Sequence, residues 1–173
     1  MADNQTINIV HSPRFRCEPV VVIETILDDF SPQALSYTAE QLLKIGALDA
    51  YVTPVIAKKG RGGHLLTVLC QPEDTARIEE YIFDHTSTLG LRTYLTDRLS
   101  LEREWIKVEL AGNEKNNGKQ KSYEIRIKIA RDLNGKIINA QPEYEDCVAY
   151  AQSNNLPLKE VFTSVMSKCN LSK

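Results

Sequence analysis

The feature that most constrains the fold is the order in which hydrophobic periodicity changes between residues 19 and 104. The order is strand, helix, strand, strand, helix, strand, with Ser31-Pro32 and Pro72 at the predicted helix starts. The first strand, PVVVIETILDD, is rich in β-branched residues, and LRTYLTDRLSLERE predicts a long fourth strand. This order predicts a split βαβ, or ferredoxin-like, domain, with two helices on one face of an antiparallel sheet. The other face is then open to a ligand or a partner chain.

Residues 105–173 follow a different pattern. WIKVEL and YEIRIKIA alternate with period two, and Asn134-Gly135 predicts a hairpin that leads to a short strand, KIINA. Helices are predicted to begin at Pro142 and Pro157. Residues 1–18 show no pattern, and we expect a poorly ordered leader. The predicted fold class is therefore α+β: a ferredoxin-like βαββαβ core at 19–104, followed by a small β-hairpin and helical extension at 105–173.

Composition excludes several classes of function. The formal net charge is -2 and the pI is about 6.0, so no overall positive charge attracts nucleic acid. No apolar run is long enough to cross a membrane. The four cysteines are scattered and form no CxxC pair, which favours reduced thiols over disulfides or a zinc site. We therefore expect a cytoplasmic protein that binds neither nucleic acid nor membrane.

The first candidate site is acidic and consists of Glu24, Asp28 and Asp29 at the end of the first strand. Hard cations such as Mg²⁺ and Mn²⁺ take carboxylate oxygens together with phosphate oxygens. Glu24 and Asp28 are four strand residues, or about 13 Å, apart, so Asp28 with Asp29 is the tighter pair. The alternative is a solvated acidic turn before the helix.

The second candidate is the basic turn of Lys58, Lys59, Arg61, Gly62 and Gly63. Glycines allow backbone N–H groups to approach an anion, and lysine and arginine suit polyphosphate. The turn lacks GK[ST] and no helix follows it, so it is not a P-loop. The alternative is a basic turn exposed to water.

A third candidate lies where the second helix leads into the fourth strand. The hydroxyls of Thr86, Ser87 and Thr88, together with Gly90 and Arg92, could line an anion site. The helix end there is the wrong pole of the dipole for phosphate, and a simple helix C-cap at Gly90 is the alternative.

The fourth candidate is the acidic segment Glu143, Glu145 and Asp146, which precedes Cys147. Carboxylates beside a thiol could provide mixed ligands to a borderline metal such as nickel. Three acids in a first helical turn also complement the helix dipole, and Cys147 lies on the apolar stripe of the helix. Both interpretations remain open.

Several blocks in the same order resemble the C-terminal region of the LarC family. The resemblance extends from about Val20 to Phe162 and is carried by ETILDDFSPQALSY, KIGALDAYVTPVIAKKGRGGHLLTVLCQPE, TSTLGLRTYLTDRLSLERE, NAQPEYEDC and PLKEVF. One departure falls in the basic turn, where family members typically carry proline in place of Gly62. That turn is therefore expected to be looser here.

The resemblance implies nickel insertion, a chelatase- or lyase-type activity that uses CTP with Mn²⁺ or Mg²⁺. The nickel would enter pyridinium-3,5-bisthiocarboxylic acid mononucleotide to form the nickel-pincer cofactor of lactate racemase. It also suggests that the C-terminal domain holds the metal–nucleotide. From charge and position within the matching blocks, we assign the triphosphate to Lys58, Lys59 and Arg61, with Arg92 as a second cation. Asp28 and Asp29 would help to hold the metal.

The resemblance also bears on partners. Family members have an N-terminal half, so we expect a separately encoded partner to supply it. Exposed ferredoxin-like sheets often pair, and a homo-oligomer is expected. The alternative function is a non-catalytic module that binds nucleotide or metal, or that only oligomerises.

Overall fold

The structure is a computed structural model of the chain and describes residues 9–116 and 119–169. The chain divides into two compact units. The first unit is Cys17–Leu99, and the second comprises the described part of residues 100–169 together with residues 9–16. The sequence predicts this boundary slightly later, after residue 104.

The first unit contains a four-stranded sheet in the order β2-β3-β1-β4. β1 and β2 each run antiparallel to β3, which lies between them, so β1 and β2 are parallel to each other. Pro54 lies in β2 at the edge of the sheet, where a residue without an N–H is tolerated. The strands are β1 Arg16–Leu27, β2 Asp49–Ile56, β3 Gly62–Cys70 and β4 Arg92–Ser100.

Two helices, α1 (Pro32–Lys44) and α2 (Thr75–His85), pack on one face of this sheet. The core between them is formed by fully buried aliphatic side chains from both layers, namely Ile23, Leu35, Leu42, Leu66, Val68, Ile78 and Ile82. α1 begins after Ser31, whose carbonyl oxygen accepts the N–H of Leu35 at 2.9 Å. Two residues after its last residue, Lys44, the chain turns at Gly46, which has a φ of 113°, a conformation that favours glycine.

The second unit contains a three-stranded sheet, in the order β5-β6-β7, and two helices. The predicted hairpin at Asn134-Gly135 is present between β6 and β7, and Gly135 has a φ of 81°. One face of the sheet and both helices bury a second aliphatic core that includes Ile125, Ile127 and Val165. The elements are β5 Glu102–Asn116, β6 Lys119–Arg131, β7 Ile137–Pro142, α3 Tyr144–Asn154 and α4 Leu158–Lys168.

Several element bounds differ from the sequence prediction. β1 begins at Arg16 rather than Pro19. The sequence did not indicate this earlier start, because the first residues of the strand are exposed and show no alternation of burial. The predicted long fourth strand is wrong, since β4 ends at Ser100 and residues 102–104 belong to β5. Pro142 ends β7 rather than opening a helix. Part of the predicted leader, residues 1–8, lies outside the described residues. No helix among the described residues is long and apolar enough to cross a membrane.

Candidate functional site

A cleft of about 480 Å³ opens at one end of the sheet in the first unit. That volume is within the range of small-molecule sites, roughly 300–1,000 Å³. Its lining comes from the end of β1, the turn after β2 and the segment that enters β4, and consists of Glu24, Thr25, Ile26, Leu27, Asp28, Asp29, Ala57, Lys58, Ser87, Thr88, Leu89, Gly90 and Arg92. The cleft thus brings together residues from three of the four predicted clusters.

The sheet order explains this convergence. β1 and β2 are parallel, so their carboxyl ends lie at the same edge of the sheet. β3 runs the opposite way and begins at that edge, where Ile56 pairs with Gly62 and Leu27 pairs with His64. Residues 88–90 reach the same edge from the other side, because Thr25 of β1 contacts both Thr88 and Gly90.

Three carboxylates line the cleft. Asp29 accepts a hydrogen bond from the Ser87 hydroxyl at 2.5 Å. Asp28 Oδ2 lies 3.4 Å from Arg61 Nη1, and Glu24 Oε2 lies 3.4 Å from the Tyr94 hydroxyl. A carboxylate can accept about four hydrogen bonds or metal contacts, so each retains capacity for a ligand. These are the hard oxygen donors that Mg²⁺ and Mn²⁺ prefer.

Two cations flank these carboxylates. Lys58 follows β2 and Arg92 begins β4, whereas the acids end β1, which lies between β2 and β4 in the sheet order. Both side chains belong to exposed residues that line the cleft. Carboxylates between two cations suit a divalent metal bound together with a polyphosphate.

A hydroxyl cluster forms the inner wall of the cleft. The Oγ1 atoms of Thr25 and Thr88 lie 2.5 Å apart, and both are within hydrogen-bond distance of the Gly90 carbonyl oxygen, at 3.1 and 3.0 Å. Thr25 is only 3% exposed. The sequence analysis missed Thr25, although a polar residue in the buried row of Ile23 and Leu27 was a usable signal.

The basic turn contributes to the cleft unequally. Lys58–Gly60 forms a single 3₁₀ turn, in which the Arg61 N–H points to the Lys58 carbonyl oxygen at 3.5 Å. The Ala57 N–H donates to the Arg61 carbonyl oxygen at 2.7 Å and joins the two residues that flank the turn. Lys59 has a φ of 61°, which turns the backbone between two adjacent lysines. Of the predicted basic cluster, Lys58 is the member that lines the cleft within the described part of the chain.

Gly63 has a packing role that can be read from its surroundings. It is buried, and a Cβ atom there would lie 2.8 Å from the Leu27 carbonyl oxygen and 3.2 Å from Asp28 Cα. The start of β3 can therefore approach the end of β1 only without a side chain at this position. Gly62, in contrast, faces open space.

The fourth predicted cluster lies in the other unit, where Arg126 engages Asp146 through its backbone N–H and two guanidinium nitrogens, at 2.8–3.0 Å. These hydrogen bonds hold the pKa of Asp146 below its usual range. Glu143 accepts a hydrogen bond from the Trp105 indole at 2.8 Å, and Glu145 is exposed. Burial raises the pKa of the Cys147 thiol, which disfavours the thiolate that a metal needs. A metal site at Glu143, Glu145 and Asp146 therefore stays a prediction, with Asp146 already committed to an ion pair.

A family model and the sequence relatives of the chain point to the same protein family. The chain matches the family model described as nickel insertion protein over residues 5–162. Relatives named for nickel insertion in Synechococcus sp. (strain JA-2-3B'a(2-13)) and Dictyoglomus thermophilum are each 41% identical, over 150 and 145 residues. These alignments cover 87% and 84% of this chain but 35% and 34% of the relatives, so the chain spans about a third of their length.

Two solved structures have a similar fold. One is LarC2, the C-terminal domain of a cyclometallase involved in the synthesis of the NPN cofactor of lactate racemase, in its apo form. It superposes with a TM-score of 0.75 and 29% identity, covering 88% of this chain and 98% of that one. The other, a protein of Methanopyrus kandleri AV19, has a TM-score of 0.68 and 22% identity over 90% of each chain, which shows the fold alone.

Proposed function

Because the chain belongs to the nickel insertion protein family and corresponds to the C-terminal domain of LarC-type proteins, we propose that it is part of a CTP-dependent nickel insertase. The substrate of the whole enzyme would be pyridinium-3,5-bisthiocarboxylic acid mononucleotide. Nickel would be delivered to it to complete the nickel-pincer cofactor of lactate racemase. In this proposal nickel is cargo, whereas Mn²⁺ or Mg²⁺ accompanies the nucleotide.

The cleft in the first unit is the observation that carries this proposal. It places Asp28 and Asp29 between Lys58 and Arg92, within a volume of about 480 Å³. We assign the metal to Asp28 and Asp29, with Glu24 nearby, and the triphosphate to Lys58 and Arg92. The donor set supports this assignment, since hard oxygens take Mg²⁺ or Mn²⁺ and the cations neutralise phosphate.

The inner wall of the cleft would then receive the polar part of the nucleoside. The hydroxyls of Thr25 and Thr88 can donate or accept a hydrogen bond, and Ser87 adds a third hydroxyl. The backbone turn around Gly62 remains a secondary candidate for phosphate contact, together with Lys59 and Arg61.

We further propose that the chain acts together with an N-terminal domain of the LarC type, because it corresponds to the C-terminal domain of such proteins. The antiparallel order β2-β3-β1-β4, with two helices on one face, supports a ferredoxin-like assignment for the first unit. The sheet face opposite the two helices could pair with the same face of a second chain, which would give a homo-oligomer. The four free cysteines support a cytoplasmic setting.

A second candidate function is a non-catalytic nucleotide- and metal-binding module. The observation in its favour is that, among the described residues, those that line the cleft all belong to the first unit. Such a module would bind the metal–nucleotide with full affinity yet contribute no nickel transfer when the N-terminal half is added.

Calorimetric titration tests the nucleotide assignment. CTP, ATP, GTP and UTP are titrated separately, each with Mn²⁺ and with Mg²⁺. We expect selective binding of CTP, and a loss on the order of 10-fold in Lys58→Ala, because a charge-assisted contact to phosphate is removed. Lys159→Ala removes the same charge from an exposed helix position in the other unit and is the matched control. Failure of every triphosphate to bind would refute the nucleotide assignment.

Cofactor maturation separates the two candidate functions. Lactate racemase activation is measured with this chain alone, with an N-terminal half alone and with both. Activation only in the combined sample supports a two-part insertase. Activation by this chain alone would contradict the need for a partner, and equal activation with and without this chain would favour the non-catalytic module.

A further inference from the structure

The ion pair between Arg61 and Asp28 joins a residue outside the cleft lining to one inside it. Arg61 Nη1 lies 3.4 Å from Asp28 Oδ2, and the side chains are 59% and 28% exposed, respectively. The contact is long and uses one of the five guanidinium N–H donors, so the guanidinium can engage another anion when this contact breaks. An exposed pair of this kind changes partners easily.

Local contacts support the backbone on both sides of this pair. The Ala57 N–H to Arg61 carbonyl hydrogen bond holds the turn at 2.7 Å. Gly63 packs against the Leu27 carbonyl and the Asp28 backbone. The guanidinium can therefore move while its Cα stays beside Asp28, which is what a residue that exchanges partners requires.

We propose that Arg61 is a positioning residue that holds Asp28 in the ligand-free protein and transfers to the triphosphate when a divalent metal takes Asp28. This inference rests on the proposed function, since it assumes that the cleft binds a metal–nucleotide. In the exchange, one cation–carboxylate contact is replaced by a metal–carboxylate contact and a guanidinium–phosphate contact, and no covalent bond forms or breaks.

The exchange couples the two ligands. A metal alone must displace Arg61 from Asp28, and a triphosphate alone must draw Arg61 away while facing unneutralised Asp28 and Asp29. When both bind, the ion pair is broken once and both new contacts form. Metal and nucleotide therefore strengthen each other's binding, beyond the contact that they make directly.

The coupling predicts effects of opposite sign in Arg61→Gln. Binding of Mn²⁺ alone tightens by about 1.4- to 5-fold, since an exposed ion pair no longer competes for Asp28. Binding of CTP in the presence of Mn²⁺ weakens on the order of 10-fold, because the guanidinium–phosphate contact is lost. Arg61→Lys keeps the charge and should return both affinities toward the wild-type values.

The experiment uses the full 173-residue chain. Free Mn²⁺ is followed by electron paramagnetic resonance, and CTP binding is measured by calorimetry with saturating Mn²⁺. Arg77→Gln is the matched control, because it removes one exposed arginine that pairs with Asp74 in the same unit. Circular dichroism with urea unfolding verifies that each variant is folded.

The outcomes separate this inference from the function on which it rests. Wild-type chain that binds no Mn²⁺–CTP overturns the proposed function. The exchange is overturned, while the function stands, if the wild-type chain binds Mn²⁺–CTP but Arg61→Gln lowers the affinity for both ligands. The same holds if Arg61→Gln leaves the affinity for Mn²⁺ alone unchanged. The exchange is supported if Arg61→Gln binds Mn²⁺ alone more tightly and CTP with Mn²⁺ more weakly, and if Arg77→Gln shows neither change.

Discussion

Substitution of Gly63 by alanine tests the close approach of β3 to β1 that builds the cleft. The added Cβ would lie 2.8 Å from the Leu27 carbonyl oxygen and 3.2 Å from both Cα and Cβ of Asp28. Ordinary contact begins near 3.4 Å, so the Leu27 backbone must move by about 0.6 Å. Overpacking against backbone costs roughly 1–3 kcal/mol of unfolding free energy. The displaced residue, Asp28, is a proposed metal ligand, so Mn²⁺–CTP affinity should fall as well.

Gly62→Ala is the matched control for this prediction. It adds the same methyl group one residue earlier in β3, where no heavy atom lies within 4 Å. The loss of backbone freedom in the unfolded chain should make it neutral or stabilising, by up to about 1 kcal/mol.

The two variants are compared by urea unfolding, followed by far-UV circular dichroism, and by calorimetry with Mn²⁺–CTP. The reasoning is refuted if Gly63→Ala has the same unfolding midpoint as Gly62→Ala. A stable Gly63→Ala chain with normal nucleotide affinity would mean that the end of β1 adjusts freely.

Three further predictions concern the second unit. The hydrogen bond from Arg14 holds the pKa of Asp132 below its usual range, so its stabilising effect is complete above about pH 4 and is lost as the pH falls through the folded-state pKa. Asp132→Asn should therefore flatten the acid dependence of the urea midpoint below that pH. Tyr150→Phe removes a 2.9 Å hydrogen bond to the Ala111 carbonyl and should lower the unfolding free energy by about 1 kcal/mol in the same assay. Ile127→Ala leaves a cavity at a fully buried position and should cost about 2–5 kcal/mol, measured by urea unfolding.

The sequence predicted the type and order of most elements because their burial is periodic. β1 illustrates the limit, since residues from Val20 to Leu27 show buried rows whereas Arg16 and Cys17 are exposed on the same strand. Exposed strand ends carry no hydrophobic signal, and their pairing is set by a neighbouring strand. The division between β4 and β5 could not be predicted from the sequence for the same reason, because most of the residues around it are polar or exposed.

The acidic clusters show why a candidate site cannot be ranked by its residues alone. Asp28 and Asp146 are both carboxylates in acidic runs, and residue type and spacing alone do not distinguish the two. Asp146 receives Arg126 from β6, twenty residues earlier, and is engaged by three nitrogens. Asp28 receives one 3.4 Å contact from Arg61. The partner of each carboxylate is set by non-local packing, which composition does not encode.

The two adjacent glycines of the basic turn connect the fold to the proposed chemistry. β3 begins at Gly62, between the ends of β1 and β2, so it stands between the acidic and basic sides of the cleft edge. A side chain at Gly63 would push against Leu27 and Asp28, whereas the bare backbone lets the turn bring Arg61 within reach of Asp28. Gly63 is required for the close approach of β3 to the end of β1. Any contact of its N–H with phosphate depends on the same geometry. Gly63→Ala should thus weaken the Arg61–Asp28 pair and the metal–nucleotide site together, whereas Arg61→Gln separates them.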